Sequence, residues 1–322
     1  MLIKKAVITA AARGERLYPV ADTVQKAMLP MVDVDGINKP VIQIIAEEAL
    51  ASGVEELCII CAPGDESRYL EQFTALRQTL LHEYRHSEWA QIQAVRIKDL
   101  LERLTFCVQE QARGYGHAVY QANKFVGNQA FLLLLGDYLY VSDLAGKRCA
   151  QQMIELAAEE SCSVSAVNQT NEYLISRYGT LTGKSISGRP GVYQIERIIE
   201  KPSVSQAELE LQTPGLRAGY YLCFFGMQVL KPTLFDILEE DLREKNASGE
   251  KTQLTPALQR LAEQDKYLAM EMRGNRYDTS KRLGLMQAQL ALSLAGPMKE
   301  EVLGSLLHIV AGSTRRSTGE SS

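Results

Sequence analysis

Long apolar stretches, runs of one charge and histidine are all scarce in this sequence. No Lys/Arg run stands out and the formal net charge is −4, which argues against a general nucleic-acid binder. No apolar stretch reaches membrane-spanning length, so no bilayer crossing is expected. The opening Met1-Leu2-Ile3-Lys4-Lys5-Ala6-Val7-Ile8 is too short in its apolar part for a signal peptide and reads as a first strand. Histidine numbers only four. His82-Glu83-Tyr84-Arg85-His86 fits H-E-x-x-H, but the segment is strongly polar and the only later histidines are His117 and His308, so a solvated helix face is expected rather than zinc. Cysteine is modest at six, and Cys58, Cys61, Cys107, Cys162 and Cys223 sit in apolar runs. Buried free thiols in a reducing cytosol follow. Cys58 and Cys61 fit C-x-x-C, but positions i and i+3 of a strand point to opposite faces, which excludes a disulfide between them.

What is present suffices for a large core: 322 residues, 46% hydrophobic and 23% charged. The pattern alternates. Strands are expected at 6–10, 55–62, 105–108 and 131–135, with helices at 41–52, 67–96 and 117–125 between them. The five-residue run 131–135 suits a central strand covered on both faces. Such alternation predicts an α/β fold, a central mixed, mostly parallel sheet with right-handed crossovers, flanked by helices. After residue 150 come strands at 163–167, 192–199 and 218–225, then helices at 232–240, 255–264 and 281–294. No internal repeat is evident. One unit over 1–295 is expected, then a helical extension over 296–311 and a polar, disordered tail over 312–322. Leu303, Leu306, Leu307 and Val310 form an i, i+3, i+4, i+7 stripe that either packs on its own domain or supplies a subunit contact.

The first loop carries the strongest chemical signal. Ala11-Ala12-Arg13-Gly14-Glu15-Arg16-Leu17-Tyr18-Pro19 follows the first strand, and Gln25-Lys26-Ala27-Met28-Leu29-Pro30 comes after it. Small residues let backbone N–H groups approach a phosphate chain. Arg16 and Lys26 supply cations of the kind that phosphoryl and nucleotidyl transfer need as charge builds on phosphate oxygens. A surface loop with two solvated cations is the competing reading. Asp137, just beyond the apolar run 131–135, should project from the carboxyl edge of the sheet, where open α/β sheets bind ligands. Gly179-Thr180-Leu181-Thr182-Gly183-Lys184-Ser185 is one residue short of a P-loop and reads as a turn between strands.

The loop resembles the signature of the sugar nucleotidyltransferases, G-x-G-T-R-x-x-P followed by P-K-x-M-x-P. Further matches come in the family's order: Gly114-Tyr115-Gly116-His117-Ala118, Leu135-Gly136-Asp137, Arg177-Tyr178-Gly179, Glu200-Lys201-Pro202, Gln253-Leu254-Thr255 and Arg276-Tyr277-Asp278. The run from Lys39-Pro40 through Gln43 to Glu47-Glu48-Ala49 also resembles the UTP–glucose-1-phosphate uridylyltransferase branch. The resemblance implies the Rossmann-like nucleotide-diphospho-sugar transferase fold and a nucleotidyltransferase over 1–295. It implies that Arg16 stabilises the leaving pyrophosphate and Lys26 the α-phosphorus centre. Ala10, Ala11, Ala12 and Gly14 would face the nucleotide, with Gln109 and Gly114 reading the base. Gly179, Glu200, Lys201 and Tyr221 would face the sugar phosphate, and Asp137 and Asp278 would hold Mg²⁺.

The implied reaction makes UDP-glucose and pyrophosphate from UTP and glucose 1-phosphate, in the cytoplasm. The resemblance also admits a homo-oligomer. Another sugar or nucleotide, such as dTTP, or a catalytically weak homologue that binds a nucleotide sugar, stays open. Several positions depart from the family's pattern. Ala12 and Glu15 stand where the family has Gly and Thr, Tyr138 replaces a second Asp, and Tyr221 falls where the uridylyltransferases have Asn. Lys251 and Pro256 replace acidic residues, and a short insertion occupies about 34–38.

Overall fold

The computed structural model describes residues 1–12, 14, 17–19 and 23–317, with the side chains of 246–248 and 313–317 excepted. In chain order the strands are β1 (Ile3–Thr9), β2 (Pro30–Val32), β3 (Asn38–Pro40), β4 (Glu56–Cys61), β5 (Leu104–Val108), β6 (Ala130–Leu135) and β7 (Tyr138–Ser142). They continue as β8 (Ser163–Asn171), β9 (Gly179–Ser185), β10 (Val192–Glu200), β11 (Tyr220–Leu230), β12 (Tyr267–Glu271) and β13 (Gly274–Asp278). The helices are α1 (Val41–Leu50), α2 (Asp65–His82), α3 (Glu88–Arg103), α4 (Tyr115–Tyr120), α5 (Asn123–Val126) and α6 (Cys149–Glu160). Then come α7 (Val204–Glu210), α8 (Thr233–Ser248), α9 (Leu254–Gln264), α10 (Arg282–Ala295) and α11 (Lys299–Ser317).

Nine strands form one mixed sheet in the order β5-β4-β1-β6-β11-β8-β12-β10-β9. The parallel pairings gather in β5-β4-β1-β6, with β12 also parallel to β8. β11, β10 and β9 run antiparallel to their neighbours. Alternation along the strands splits the core in two. Ala6, Ile8, Leu57, Ile59, Leu132 and Leu134 face α1, α2, α3, α6 and α10. Val7, Cys58, Ile60, Phe131 and Leu133 face α4, α8 and α9. A two-residue side-chain period on strands covered on both faces gives this division. Cys58 and Cys61 therefore belong to opposite faces, and all six cysteines are free.

Several expectations are corrected. The helix expected over 67–96 is two helices, because 83–87 forms turns. His82 ends α2 and His86 lies in that turn, so the two exposed histidines do not share a helical face. The segment 179–185 is itself a strand, not a turn. The last helix runs to Ser317, so the polar stretch from 312 begins inside it. Its apolar stripe is only partly buried: Leu306 is half-buried, while Leu307 is 72% and Val310 60% exposed.

A buried charge network fixes the ribbon that follows Lys26. β2 and β3 pair antiparallel, with Met31 opposite Lys39. The Lys39 ammonium, 2% exposed, meets Asp33 at 2.6 Å, Asp35 at 2.7 Å and Glu47 of α1 at 2.8 Å. Arg96 of α3 adds a bond to Asp35 at 2.8 Å. Burial opposes the charge on Lys39, but Asp33 and Glu47 outweigh it and hold its pKa above the ordinary 10.5. Burial likewise opposes ionisation of Asp35, and Lys39 overrides it, so its pKa lies below 3.8. A raised lysine stabilises below its unfolded pKa and a depressed aspartate above its own, so the network keeps its full contribution across neutral pH. Replacing Lys39 by Met leaves buried carboxylates without their cation. Lys39→Met is expected to cost about 3–5 kcal/mol in urea unfolding. A loss below about 1 kcal/mol would show that the network does not hold the ribbon.

Candidate active site

Four parallel strands bring their carboxyl ends to one edge, and the site is built there. Ala10 N–H donates to the Ile60 carbonyl at 2.7 Å, and Gln109 N–H to the Cys61 carbonyl at 2.9 Å. Gly136 N–H donates to the Thr9 carbonyl at 2.9 Å, where a Cβ would sit 2.6 Å from that same oxygen. Only glycine lets the turn after β6 press this close to β1. That approach sets Asp137 beside Ala11 and Ala12, and its carboxylate takes Lys26 Nζ at 2.6 Å. Lys26 is 8% exposed. Its short 3₁₀ turn, Lys26–Met28, is tied to α1 by a Val41 N–H bond to the Leu29 carbonyl at 3.0 Å.

Two volumes open beside Asp137. One, of about 590 Å³, is lined by Ala11, Ala12, Gly14, Lys26, Pro63, Gln109, Asp137 and Ser280. It merges with a space bordered by Gly114, Tyr115, Lys251 and Gln253. The other, of about 330 Å³, is lined by Tyr138, Arg177, Tyr178, Gly179, Glu200, Lys201, Phe224, Gly226, Gln228, Thr255, Asp278 and Lys281. Asp137 borders all of them.

In the first volume Gln109 donates from Nε2 to the Gly114 carbonyl at 3.1 Å and lies 3.0 Å from His117 Nδ1. Burial, with Arg113 nearby, lowers the His117 pKa and keeps that ring neutral. Gly114 has φ +107, and a Cβ on it would lie 2.3 Å from the Thr252 carbonyl oxygen. The loop is stitched to the strip before α9 by Thr252 N–H to the Arg113 carbonyl at 2.8 Å and Gly116 N–H to the Thr252 carbonyl at 2.9 Å.

In the second volume Gly179 of β9 lies opposite Glu200 of β10. Thr255 at the start of α9 donates its hydroxyl to Glu200 Oε2 at 2.7 Å, and Lys201 Nζ stands 3.4 Å from the other oxygen. Asp278 ends β13, which pairs with β7 so that Asp278 faces Tyr138, the neighbour of Asp137. Thr279 N–H also donates to the Asp137 carbonyl at 2.8 Å. The two carboxylates thus share one cavity wall despite their distance in sequence.

Most of the expected residues assemble, with three exceptions. Ala10 is buried below the loop and lines neither volume. Tyr221 is 3% exposed and packs with Ile175, Ala207, Leu211 and Cys223, bordering a separate cavity, so it does not face the sugar side as expected. The reason is alternation along β11: Tyr221 shares the face of Cys223, while Phe224, Gly226 and Gln228 lie on the other face and line the cavity. Arg16, with Glu15, lies outside the described residues.

Comparison with known proteins identifies the family. The nucleotidyl transferase family profile matches residues 5–293. The chain belongs to the nucleotidyl transferase family. It is 32% identical over 306 residues to the UTP–glucose-1-phosphate uridylyltransferase of Streptococcus pyogenes, spanning 94% of this chain and 92% of that one. A UDP-glucose pyrophosphorylase solved with UDP-glucose superposes with a TM-score of 0.71 at 30% identity, covering 90% of this chain and 98% of that one. The UTP-bound UGPase of Acinetobacter baumannii gives 0.75 at 25% identity, covering 95% and 99%. The mixed sheet and its flanking helices are therefore the fold of nucleotidyl transferases that handle nucleotide sugars.

Gly114 gives a direct check on the first volume as the nucleotide side. Gly114→Ala puts a Cβ into a backbone carbonyl at a left-handed φ. It is expected to weaken nucleoside triphosphate binding at least about tenfold by calorimetry, the factor that roughly 1.4 kcal/mol of strain produces. Unchanged affinity would place the nucleotide elsewhere.

Proposed function

We propose that this chain transfers the uridylyl group of UTP to glucose 1-phosphate, releasing pyrophosphate and making UDP-glucose. The observation that carries the reading is the meeting of two differently lined volumes at Asp137, the partner of Lys26. Nucleotide in one and sugar phosphate in the other bring their phosphates together there. An oxygen of the sugar phosphate attacks the α-phosphorus in line, and the bond to the β-phosphate oxygen breaks. No covalent enzyme intermediate is needed, so catalysis is positioning plus charge stabilisation.

Gln109 suits the uracil edge. With Nε2 held by Gly114 and His117, its Oε1 is the acceptor for the base's N3–H, which cytosine lacks. Ala11, Ala12 and Gly14 present a Cβ-poor wall to the triphosphate. Lys26 transfers its hydrogen bonds from Asp137 to the reacting phosphates. Arg16 is assigned to the pyrophosphate on the resemblance of its loop. Glu200, steadied by Thr255, accepts from glucose hydroxyls, while Lys201 holds the sugar phosphate and Gly179 leaves room for the ring. Tyr178 and Phe224 supply apolar walls, a surface that suits the C–H faces of a hexose.

Asp137 and Asp278 fit Mg²⁺. They are hard oxygen donors, two in number, on one cavity wall, and Mg²⁺ commonly takes one or two carboxylates and fills its remaining positions with water and phosphate. Among the described residues no cluster of three or more His, Cys, Asp or Glu offers an all-protein metal cage. When bound, the ion would neutralise charge on the phosphates. The unpaired cysteines suit a reducing compartment such as the cytoplasm. The exposed Leu303 and Leu307 on α11 suit pairing with a second copy of the chain.

Pyrophosphate release across a panel of nucleotides and sugar phosphates tests this reading. Release is expected only with both substrates present, with UTP favoured over CTP by at least about a hundredfold in kcat/KM, since a mismatched base leaves a buried amide unpaired. Equal use of CTP would remove Gln109 from base recognition. No release with any pair would favour a nucleotide-sugar binder without catalytic activity.

A further inference from the structure

Both carboxylates assigned to the cation already hold an ammonium group. Lys26 sits on Asp137, and Lys281 Nζ lies 2.7 Å from Asp278 Oδ2. The other oxygen of Asp278 accepts from Ser280 N–H at 3.0 Å and from the Ser280 hydroxyl. Asp278 thus spends both oxygens within its own turn, at the entrance to α10. The backbone holds that turn tightly. A Cβ on Gly284 would lie 2.0 Å from the Asp278 carbonyl oxygen, so the first turn of α10 presses directly against it. Lys281 is nonetheless partly open to the cavity. Its side chain is 34% exposed, and it lines the same cavity as Gly179, Glu200 and Lys201, with its ammonium 5.7 Å from the Tyr178 ring centroid.

We propose that Lys281 is a built-in stand-in for the divalent cation at Asp278, and that it passes to the sugar phosphate when the cation takes that carboxylate. The proposal rests on the reading of Asp137 and Asp278 as the cation site. An ammonium and a divalent cation compete for the same carboxylate oxygen. Displacing the ammonium leaves a positive charge on a flexible four-carbon stem, inside the cavity that receives a phosphate dianion. Two consequences follow. The empty protein holds a divalent cation weakly, because the cation must first displace Lys281. Cation and sugar phosphate strengthen each other's binding, and this coupling is reciprocal. Lys26 on Asp137 has the same relation to the nucleotide on the other side. Each of the two carboxylates is therefore matched by its own lysine until substrates and cation arrive.

Titration of the nucleotide-free full chain with Mn²⁺, read by electron paramagnetic resonance, tests the proposal together with calorimetry of glucose 1-phosphate in saturating Mn²⁺. Lys281→Met is expected to bind Mn²⁺ about tenfold more tightly and glucose 1-phosphate about tenfold more weakly than the unmodified chain. Lys281→Arg, which keeps the charge, is expected to keep the weak Mn²⁺ binding and most of the sugar-phosphate affinity. Mn²⁺ affinity unchanged within about twofold in Lys281→Met, or unchanged glucose 1-phosphate affinity, would overturn the proposal. Asp278→Asn separates the two layers. If it weakens Mn²⁺ binding while Lys281→Met changes nothing, the cation site stands and the stand-in role falls. If Asp278→Asn leaves Mn²⁺ binding untouched, both fall.

Discussion

The ion pair between Lys26 and Asp137 is the point on which the site is organised. One partner comes from the 3₁₀ turn after the first loop, the other from the turn after β6. As a stabilising contact it contributes little net energy, because taking two charges out of water offsets most of their attraction. Its value is positional. It locks the 3₁₀ turn Lys26–Met28 onto the carboxyl edge of the sheet, and it stores a cation beside the residue where two cavities adjoin. Everything around it serves that placement. Gly136 allows the turn after β6 to lie against β1, and the Lys39 network anchors the ribbon leading away from Lys26. The pairing of β7 with β13 carries Asp278 to the same wall.

The sheet divides the labour between its two halves. The parallel strands β5, β4, β1 and β6 supply the nucleotide side from loops at their carboxyl ends, the usual position for ligands on open α/β sheets. The antiparallel strands β9, β10 and β11 supply the sugar side from residues on and beside the strands, Gly179, Glu200, Phe224 and Gln228. Rigid strands hold side chains more firmly than loops do. A cavity that must distinguish hydroxyl positions on a hexose gains from that rigidity. The proposed nucleotide side, lined by Ala11, Ala12 and Gly14, would need close approach of phosphates more than fixed side chains.

Much of this was legible in the sequence. Apolar runs at 6–10, 55–62 and 131–135 marked the parallel strands, since strands buried on both faces are apolar throughout. Lys26 stood out as a cation beyond a loop of small residues and Asp137 as a carboxylate after an apolar run, while Glu200, Lys201 and Asp278 were marked by the resemblance of their motifs to the family's. Short strands were harder to see. β7, β12 and β13 are five residues each and lack strong alternation, so the pairing that brings Asp278 to Asp137 could not be read from pattern. Tyr221 was misplaced because its role came from a resemblance to the family's pattern, whereas alternation along β11 puts it on the face opposite Phe224, Gly226 and Gln228. Lys281 gave no signal at all. Its meaning lies in its contact with Asp278, which is a property of the fold.

The account makes Lys26 a group that leaves Asp137 for the phosphates as the bond at the α-phosphorus breaks. The most direct measurement is steady-state pyrophosphate release by Lys26→Ala. Removing a transition-state stabiliser is expected to lower kcat and kcat/KM together by about 10²–10³, with little change in KM for either substrate. Turnover near that of the unmodified chain would contradict the account, because the two cavities would then meet at a point where no chemistry happens.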